Sequence, residues 1–177
     1  FGGLLGATLR AYFYGKHSSK KQVLFAISKI AIFLLSGLSI LCWLALAVLL
    51  LVPNGHHFDR YIVWLVGGGL YFPIVFIFTR LQNSSFFKDL TPKLELFIVA
   101  SSTGEWLLVA LFFLMIGWLL DVRINLLLVL PMYVVAQLLG VISMLPGAIG
   151  SFDIIMLMEL SMLGVDRSTA LVWLVFF

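Results

Sequence analysis

Charge is scarce in this chain. Only 11% of its 177 residues are charged, against about a quarter in an ordinary soluble domain. Hydrophobic residues make up 63%, where about 45–50% is usual. A soluble fold of this length cannot hide that much apolar surface, so the composition excludes one and predicts a polytopic membrane protein. Cysteine is nearly absent too. Cys42 stands alone in an apolar run, which excludes an intramolecular disulfide and any cysteine-based metal cluster and leaves packing as its expected role. His56 and His57 lack the further histidine or carboxylate of a metal site. No phosphate-binding glycine loop, nucleophile elbow or nucleic-acid surface is recognisable, so no cofactor, no metal and no catalytic residue is expected here. A starting Met and a cleavable signal pattern are missing as well. The chain opens at Phe1 and stops inside "ALVWLVFF", and it is expected to be a piece of a longer protein cut at both ends.

What is plentiful is apolar sequence in runs of membrane length. About 20 residues cross the hydrocarbon, and spans are expected over approximately 30–52, 61–79, 96–120 and 124–145. After a break at "SMLPGAIGSFD", residues 152–163 are apolar for a length that suits a half-helix or re-entrant segment, and another helix starts near 168. Residues 1–14 read as a helix end or a membrane-surface segment. "PNGHHFDR" and "DVRIN" are turns, "GGGLYFP" (67–73) predicts close helix packing or a kink, and Gly164 with Asp166 or Ser168 marks a stop and a restart. The expected fold is all-α: a single integral membrane domain over 1–177, a polytopic transmembrane bundle with a broken or re-entrant helix near 145–163. Lys and Arg alternate between rich and poor loops. Arg10, Lys16, Lys20, Lys21 and Lys29 precede the first span, and Arg80, Lys88 and Lys93 follow the second, while Arg60 and Arg123 stand alone in theirs. That pattern places segments 10–29 and 80–95 in the cytoplasm.

An ionisable side chain within the bilayer costs about 2.5–3.5 kcal/mol on insertion scales, so each needs a reason. Arg10, Glu105, Asp153 and Glu159 are the candidates. Glu105 either faces a polar cavity or marks a helix start capped by Ser101, Ser102 or Thr103. For Asp153, Pro146, Gly147 and Gly150 end one helix, Ser151 is a good N-cap, and the carboxylate falls in the first turn of the next. The structural alternative is a capped short helix. The functional one is a half-helix start at membrane depth, where irregular backbone is tolerated only when buried in protein or lining a wet cavity. Arg10 can hold a lipid phosphate or simply snorkel to the basic surface. Glu159 must find a partner in the bundle or reach an interface.

Residues 142–153, "ISMLPGAIGSFD", resemble the Pro-Gly-small-apolar-Gly-x-aromatic-acid signature in the membrane region of bacterial lysylphosphatidylglycerol synthases, the multiple peptide resistance factor family. "GGLLGATLRAYFY" (2–14) is similar to that family's Gly-rich, Leu-Arg-containing segment, and "STGEW" (102–106) falls where an acidic residue is expected. Ala148 replaces the second glycine of the usual Pro-Gly-Gly. The resemblance implies the N-terminal flippase part of a bifunctional phosphatidylglycerol lysyltransferase in the bacterial cell membrane. By that resemblance it would move lysylphosphatidylglycerol to the outer leaflet and so protect against cationic antimicrobial peptides and some antibiotics. The implied partners are anionic and lysyl-modified phospholipid, with lysyl-tRNA engaged only through an aminoacyl-transfer domain absent from this chain; homo-oligomerisation stays open. Arg10, Glu105 and Asp153, with Pro146, Gly147, Gly150 and Ser151 shaping the break, would form the translocation site. Two alternatives stand beside it: a passive anchor for the cytosolic transferase, and a transporter of another polar lipid.

Overall fold

The computed structural model describes residue 28 and residues 31–52, 59–81, 91–143 and 150–177, and among them helices are the only regular structure. The order is α1 (Ser36–Leu51), α2 (Ile62–Gly69), α3 (Tyr71–Leu81), α4 (Pro92–Leu119), α5 (Leu126–Ile142), α6 (Ser151–Met162) and α7 (Arg167–Phe176). This is the expected all-α bundle. Among the described residues, three stretches are long and apolar enough to cross a membrane: Ala31–Leu51, Asp59–Leu81 and Pro92–Leu119. Arg10, Pro146 and Gly147 lie outside the described residues.

α1 is the central post. Half of the most apolar window of the Ala31–Leu51 stretch is buried, against 11% for Asp59–Leu81, and α1 packs on α2, α4 and α5. Small residues permit the close approach, as they do between helices that lack a hydrophobic driving force in lipid. A Cβ on Gly37 would fall 2.5 Å from the Ser102 backbone. Across that contact the Gly37 N–H donates to Ser102 Oγ at 3.2 Å, and Ser102 Oγ donates to the Leu34 carbonyl at 2.5 Å. Trp106 Nε1 donates to the same carbonyl at 3.1 Å.

α2 and α3 are two arms of one stretch, jointed at Leu70. Pro73 has no N–H, so the carbonyl of Gly69 loses its helical partner. In hydrocarbon such an orphan costs several kcal/mol. α1 meets it twice: Ser39 Oγ donates to the Gly69 oxygen at 2.8 Å and Trp43 Nε1 at 2.9 Å. Ser39 also accepts from the Phe72 N–H at 3.1 Å. The "GGGLYFP" stretch is thus a kink closed by a neighbour.

α4 begins earlier than the sequence suggested. Thr91, in extended conformation, caps it by accepting from the Leu94 N–H at 3.4 Å, and Pro92 takes the first helical position, where a missing N–H costs nothing. Ser101, Ser102 and Thr103 therefore stand inside a continuous 28-residue helix and cap nothing. Asn125 starts α5, its Oδ1 accepting from Leu127 N–H at 3.1 Å. Gly164, at φ +85°, closes α6, and Asp166 caps α7 by accepting from Ser168 N–H at 3.0 Å. The Ser168 hydroxyl and backbone bonds hold the Asp166 carboxyl below its ordinary value.

The last two helices are pinned by aromatic rings. Phe113 of α4 stacks on Trp173 of α7 at 5.0 Å and lies 5.1 Å from Tyr133 of α5, with Phe152 of α6 edge-on at 6.0 Å. Such pairs add about 0.5–1.5 kcal/mol each beyond area burial. Trp173 Nε1 donates to the Phe113 carbonyl at 2.8 Å, and its ring occupies the space that a Cβ on Gly117 would need.

Candidate functional site

α6 starts differently from the expectation. Gly150, at φ +96°, is the residue before the helix, and Ser151 is already its first helical residue. An L side chain rarely adopts that φ, so glycine takes the capping position and the serine moves inside. Ser151 Oγ lies 3.2 Å from Ser143 Oγ, whose hydroxyl also donates to the Gly140 carbonyl at 2.8 Å; the last residue of the preceding helix end is thereby tied to the first of the next. Asp153 reaches back and accepts from the Gly150 N–H at 3.3 Å. The carboxylate itself thus faces the positive end of the helix, which makes that end a poor place for a second anion.

Asp153 remains exposed. It sits at an apolar groove of about 340 Å³ between α6 and α7, lined by Asp153, Ile154, Leu157, Leu171, Leu174 and Val175. Among the described residues, Asp153 is the one charged residue in that lining. An ammonium group at the carboxylate and a hydrocarbon chain along the groove is the kind of occupant this lining suits.

Glu105 is exposed in the middle of α4, and among the described residues it forms no hydrogen bond or ion pair. Its place inside α4 removes the helix-start role, and the polar-cavity role is the alternative that is left. Its level can be read from the α4–α5 register. The two helices run antiparallel through a short turn, with Phe113 against Tyr133. Counting about 15 Å along each helix from that contact, at 1.5 Å per residue, reaches Thr103 on α4 and Ser143 on α5. Ser102, Glu105, the end of α5 and the Ser143–Ser151 contact accordingly share one level of the bundle. The Pro92 end of α4 lies roughly 20 Å from Glu105 by the same rise. No bond joins Glu105 to Asp153 among the described residues.

Two ion pairs escaped the sequence reading. Glu159, expected to need a partner, finds Arg60 Nη2 at 2.7 Å and accepts a bond from the Tyr61 hydroxyl. This joins the end of α6 to the start of α2. Glu95, not singled out, is buried and receives Arg80 Nη2 at 2.8 Å, joining α3 to α4. Arg60 and Arg80 stand at opposite ends of the Asp59–Leu81 stretch, about 30 Å apart at helical rise, close to the thickness of a hydrocarbon core. The signal that could have found Glu95 is its place one turn after the Thr91-Pro92 helix start, opposite an arginine that closes the previous helix.

Comparison with known proteins gives one consistent match. The chain is 28% identical over 186 residues to phosphatidylglycerol lysyltransferase of Staphylococcus haemolyticus (strain JCSC1435), and 29% identical over 181 residues to the enzyme of that name from Staphylococcus aureus (strain MRSA252). The match to S. aureus strain COL is 27% over 185 residues. In each case all of this chain is covered and 21% of the relative, so the chain spans about a fifth of the length of the curated relatives it matches. The resemblance read from residues 142–153 therefore extends along the whole sequence. No protein-family model and no solved structure matches.

Proposed function

We propose that this chain is the membrane-embedded, lipid-handling part of a phosphatidylglycerol lysyltransferase in a bacterial cell membrane, and that it translocates lysylphosphatidylglycerol to the outer leaflet. By lowering the negative charge of the surface it contributes to resistance against cationic antimicrobial peptides. The observation that carries this is Asp153: an exposed carboxylate at an apolar groove, beside a helix break at the level of Glu105. Lysylphosphatidylglycerol carries a lysyl group with two amines, a phosphate and two acyl chains. Asp153 and Glu105 suit the amines, and the groove suits a chain. The phosphate is assigned to Arg10, because Asp153 already occupies the positive end of α6. Segments 10–29 and 80–95 face the cytoplasm in this reading. Synthesis of the lipid belongs to the remaining four-fifths of the longer protein, with lysyl-tRNA as its donor.

The test uses the full-length parent in a cell lacking its own copy. Wild type and Asp153→Ala are compared for total lysylphosphatidylglycerol by mass spectrometry, and for its outer-leaflet share by an impermeant amine reagent. The expected outcome is unchanged total lipid with a collapsed outer share. Unchanged values of both would replace this reading with the passive anchor, in which the bond Asp153 accepts from the Gly150 N–H is its whole, structural role.

A further inference from the structure

Of all the charged groups among the described residues, Glu95 is the least comfortable. Its residue is 5% exposed, one carboxylate oxygen receives Arg80, and the other, Oε1, is buried and has no hydrogen-bond donor among the described residues. Buried acceptors are nearly always met, so an orphan of this kind marks a place where something else donates. Arg80 is the opposite case. Its side chain is 49% exposed, its guanidinium lies 5.1 Å from the centre of the Phe76 ring, and only one of its five N–H groups has an acceptor among the described residues. The Phe76 ring and Glu95 flank the guanidinium, and the half-exposed side chain keeps its other N–H groups without an acceptor among the described residues. A tie between α3 and α4 needs one bond from each partner. Here both partners keep unused capacity of opposite kinds, an acceptor on the carboxylate and donors on the guanidinium.

We propose that Arg80 and Glu95 form a headgroup site, separate from Asp153, for a phospholipid that bears both a phosphate and a primary ammonium. The phosphate takes the open edge of Arg80, whose planar fork matches two phosphate oxygens. The ammonium brings three N–H donors and meets Glu95 Oε1. Arg80 is the half-exposed and therefore movable member, so its swing toward the phosphate opens the carboxylate to the amine. Guanidinium, phosphate, ammonium and carboxylate then alternate in sign around one site; phosphatidylethanolamine brings no net charge to it, and lysylphosphatidylglycerol, with its second amine, brings one positive charge. The site lies at the end of the Asp59–Leu81 stretch remote from Arg60, on the face assigned above to the cytoplasm. This inference rests on the reading that the chain handles phospholipid, and it adds where the lipid is first recognised. Lysylphosphatidylglycerol and phosphatidylethanolamine both carry the required chemistry.

The full-length protein is reconstituted in vesicles of phosphatidylglycerol containing a minor share of either lysylphosphatidylglycerol or phosphatidylethanolamine. It is then extracted, and the lipid that remains bound is measured by mass spectrometry. Wild type is expected to enrich the amine-bearing lipid several-fold over its share in the vesicle. Glu95→Gln, which keeps an oxygen for Arg80, is expected to bring that enrichment to unity while the phosphatidylglycerol retained stays constant. Enrichment of both amine lipids assigns recognition to the ammonium and phosphate alone; enrichment of lysylphosphatidylglycerol only assigns it to the aminoacyl group as well. Arg80→Lys, which preserves the ion pair and removes the fork, is the second variant: total bound lipid falls several-fold and the amine preference persists. No enrichment by wild type, or full enrichment by Glu95→Gln, overturns the site. Loss of outer-leaflet display in Asp153→Ala together with an unaltered Glu95→Gln would remove this site and leave the translocation reading standing. The reverse pattern would keep this site and remove Asp153 from the path.

Discussion

Among the described residues, helices are interrupted at Gly69 and before Gly150, and the two places are built in opposite ways. At Gly69 the carbonyl released by Pro73 is met by Ser39 and Trp43 of the central helix, and the joint is closed. At Gly150 the new helix opens with a tie between two serines and a carboxylate that stays exposed beside a groove. A proline or a glycine within an apolar run is therefore no sign of a site. What separates the two breaks is whether a neighbour consumes the polar groups. The serine–tryptophan pair recurs, since Ser102 and Trp106 of α4 both donate to the Leu34 carbonyl. Each pair is spaced by one helical turn and so shares a face.

The contrast can be broken from either side. Its largest test is to reverse charge at the open break. Asp153→Lys should reduce outer-leaflet lysylphosphatidylglycerol to background with protein level and total lipid intact; a fall in protein level would class the open break with the closed one. Opening the closed break should do the reverse. Ser39→Ala combined with Trp43→Phe strips both donors from Gly69 and should cost about 1–3 kcal/mol of stability. Thermal unfolding in detergent would show it, with display per surviving molecule unchanged. Gly117→Ala, which forces a Cβ into the Trp173 ring, should cost about 1–3 kcal/mol in the same assay. Glu105→Gln sharpens the comparison within one level of the bundle: display should fall several-fold, less than for Asp153→Lys, and unfolding should not shift.

The smallest effect belongs to Asp166. Its folded carboxyl is held low, so the cap on α7 is in force above the ordinary carboxylate range. It is lost only as pH falls through the lowered value. A melting curve of the wild type and Asp166→Ala should differ by the same small margin at pH 6 and pH 8, and converge in strong acid.

Composition and run length carried the all-α membrane bundle, because helices that must satisfy their own backbone in lipid leave few alternatives. Local chemistry carried the break and the restart at Gly164 and Asp166. The start of α4 was also present in the sequence as Thr91-Pro92, four residues before the apolar run at 96, while the serines at 101–102 and the carboxylate at 105 imitate a second helix start inside it. The ion pairs were out of reach for a different reason. Arg60 and Glu159 are 99 residues apart, and no periodicity within one helix reports which distant helix it will face. The same holds for Ser39 and Gly69: the donors were visible, and the carbonyl they serve was not.

Phe152, the residue before Asp153, has its ring in the cluster formed by Phe113, Tyr133 and Phe177. That makes the beginning of α6 a fulcrum and its far end, where Glu159 holds Arg60, the arm of a lever. When such an arm swings, the charge beside the pivot hardly travels. Under the translocation reading proposed above, Asp153 would be a fixed post on the route, and a lipid crossing there would have to pass the carboxylate rather than ride on it.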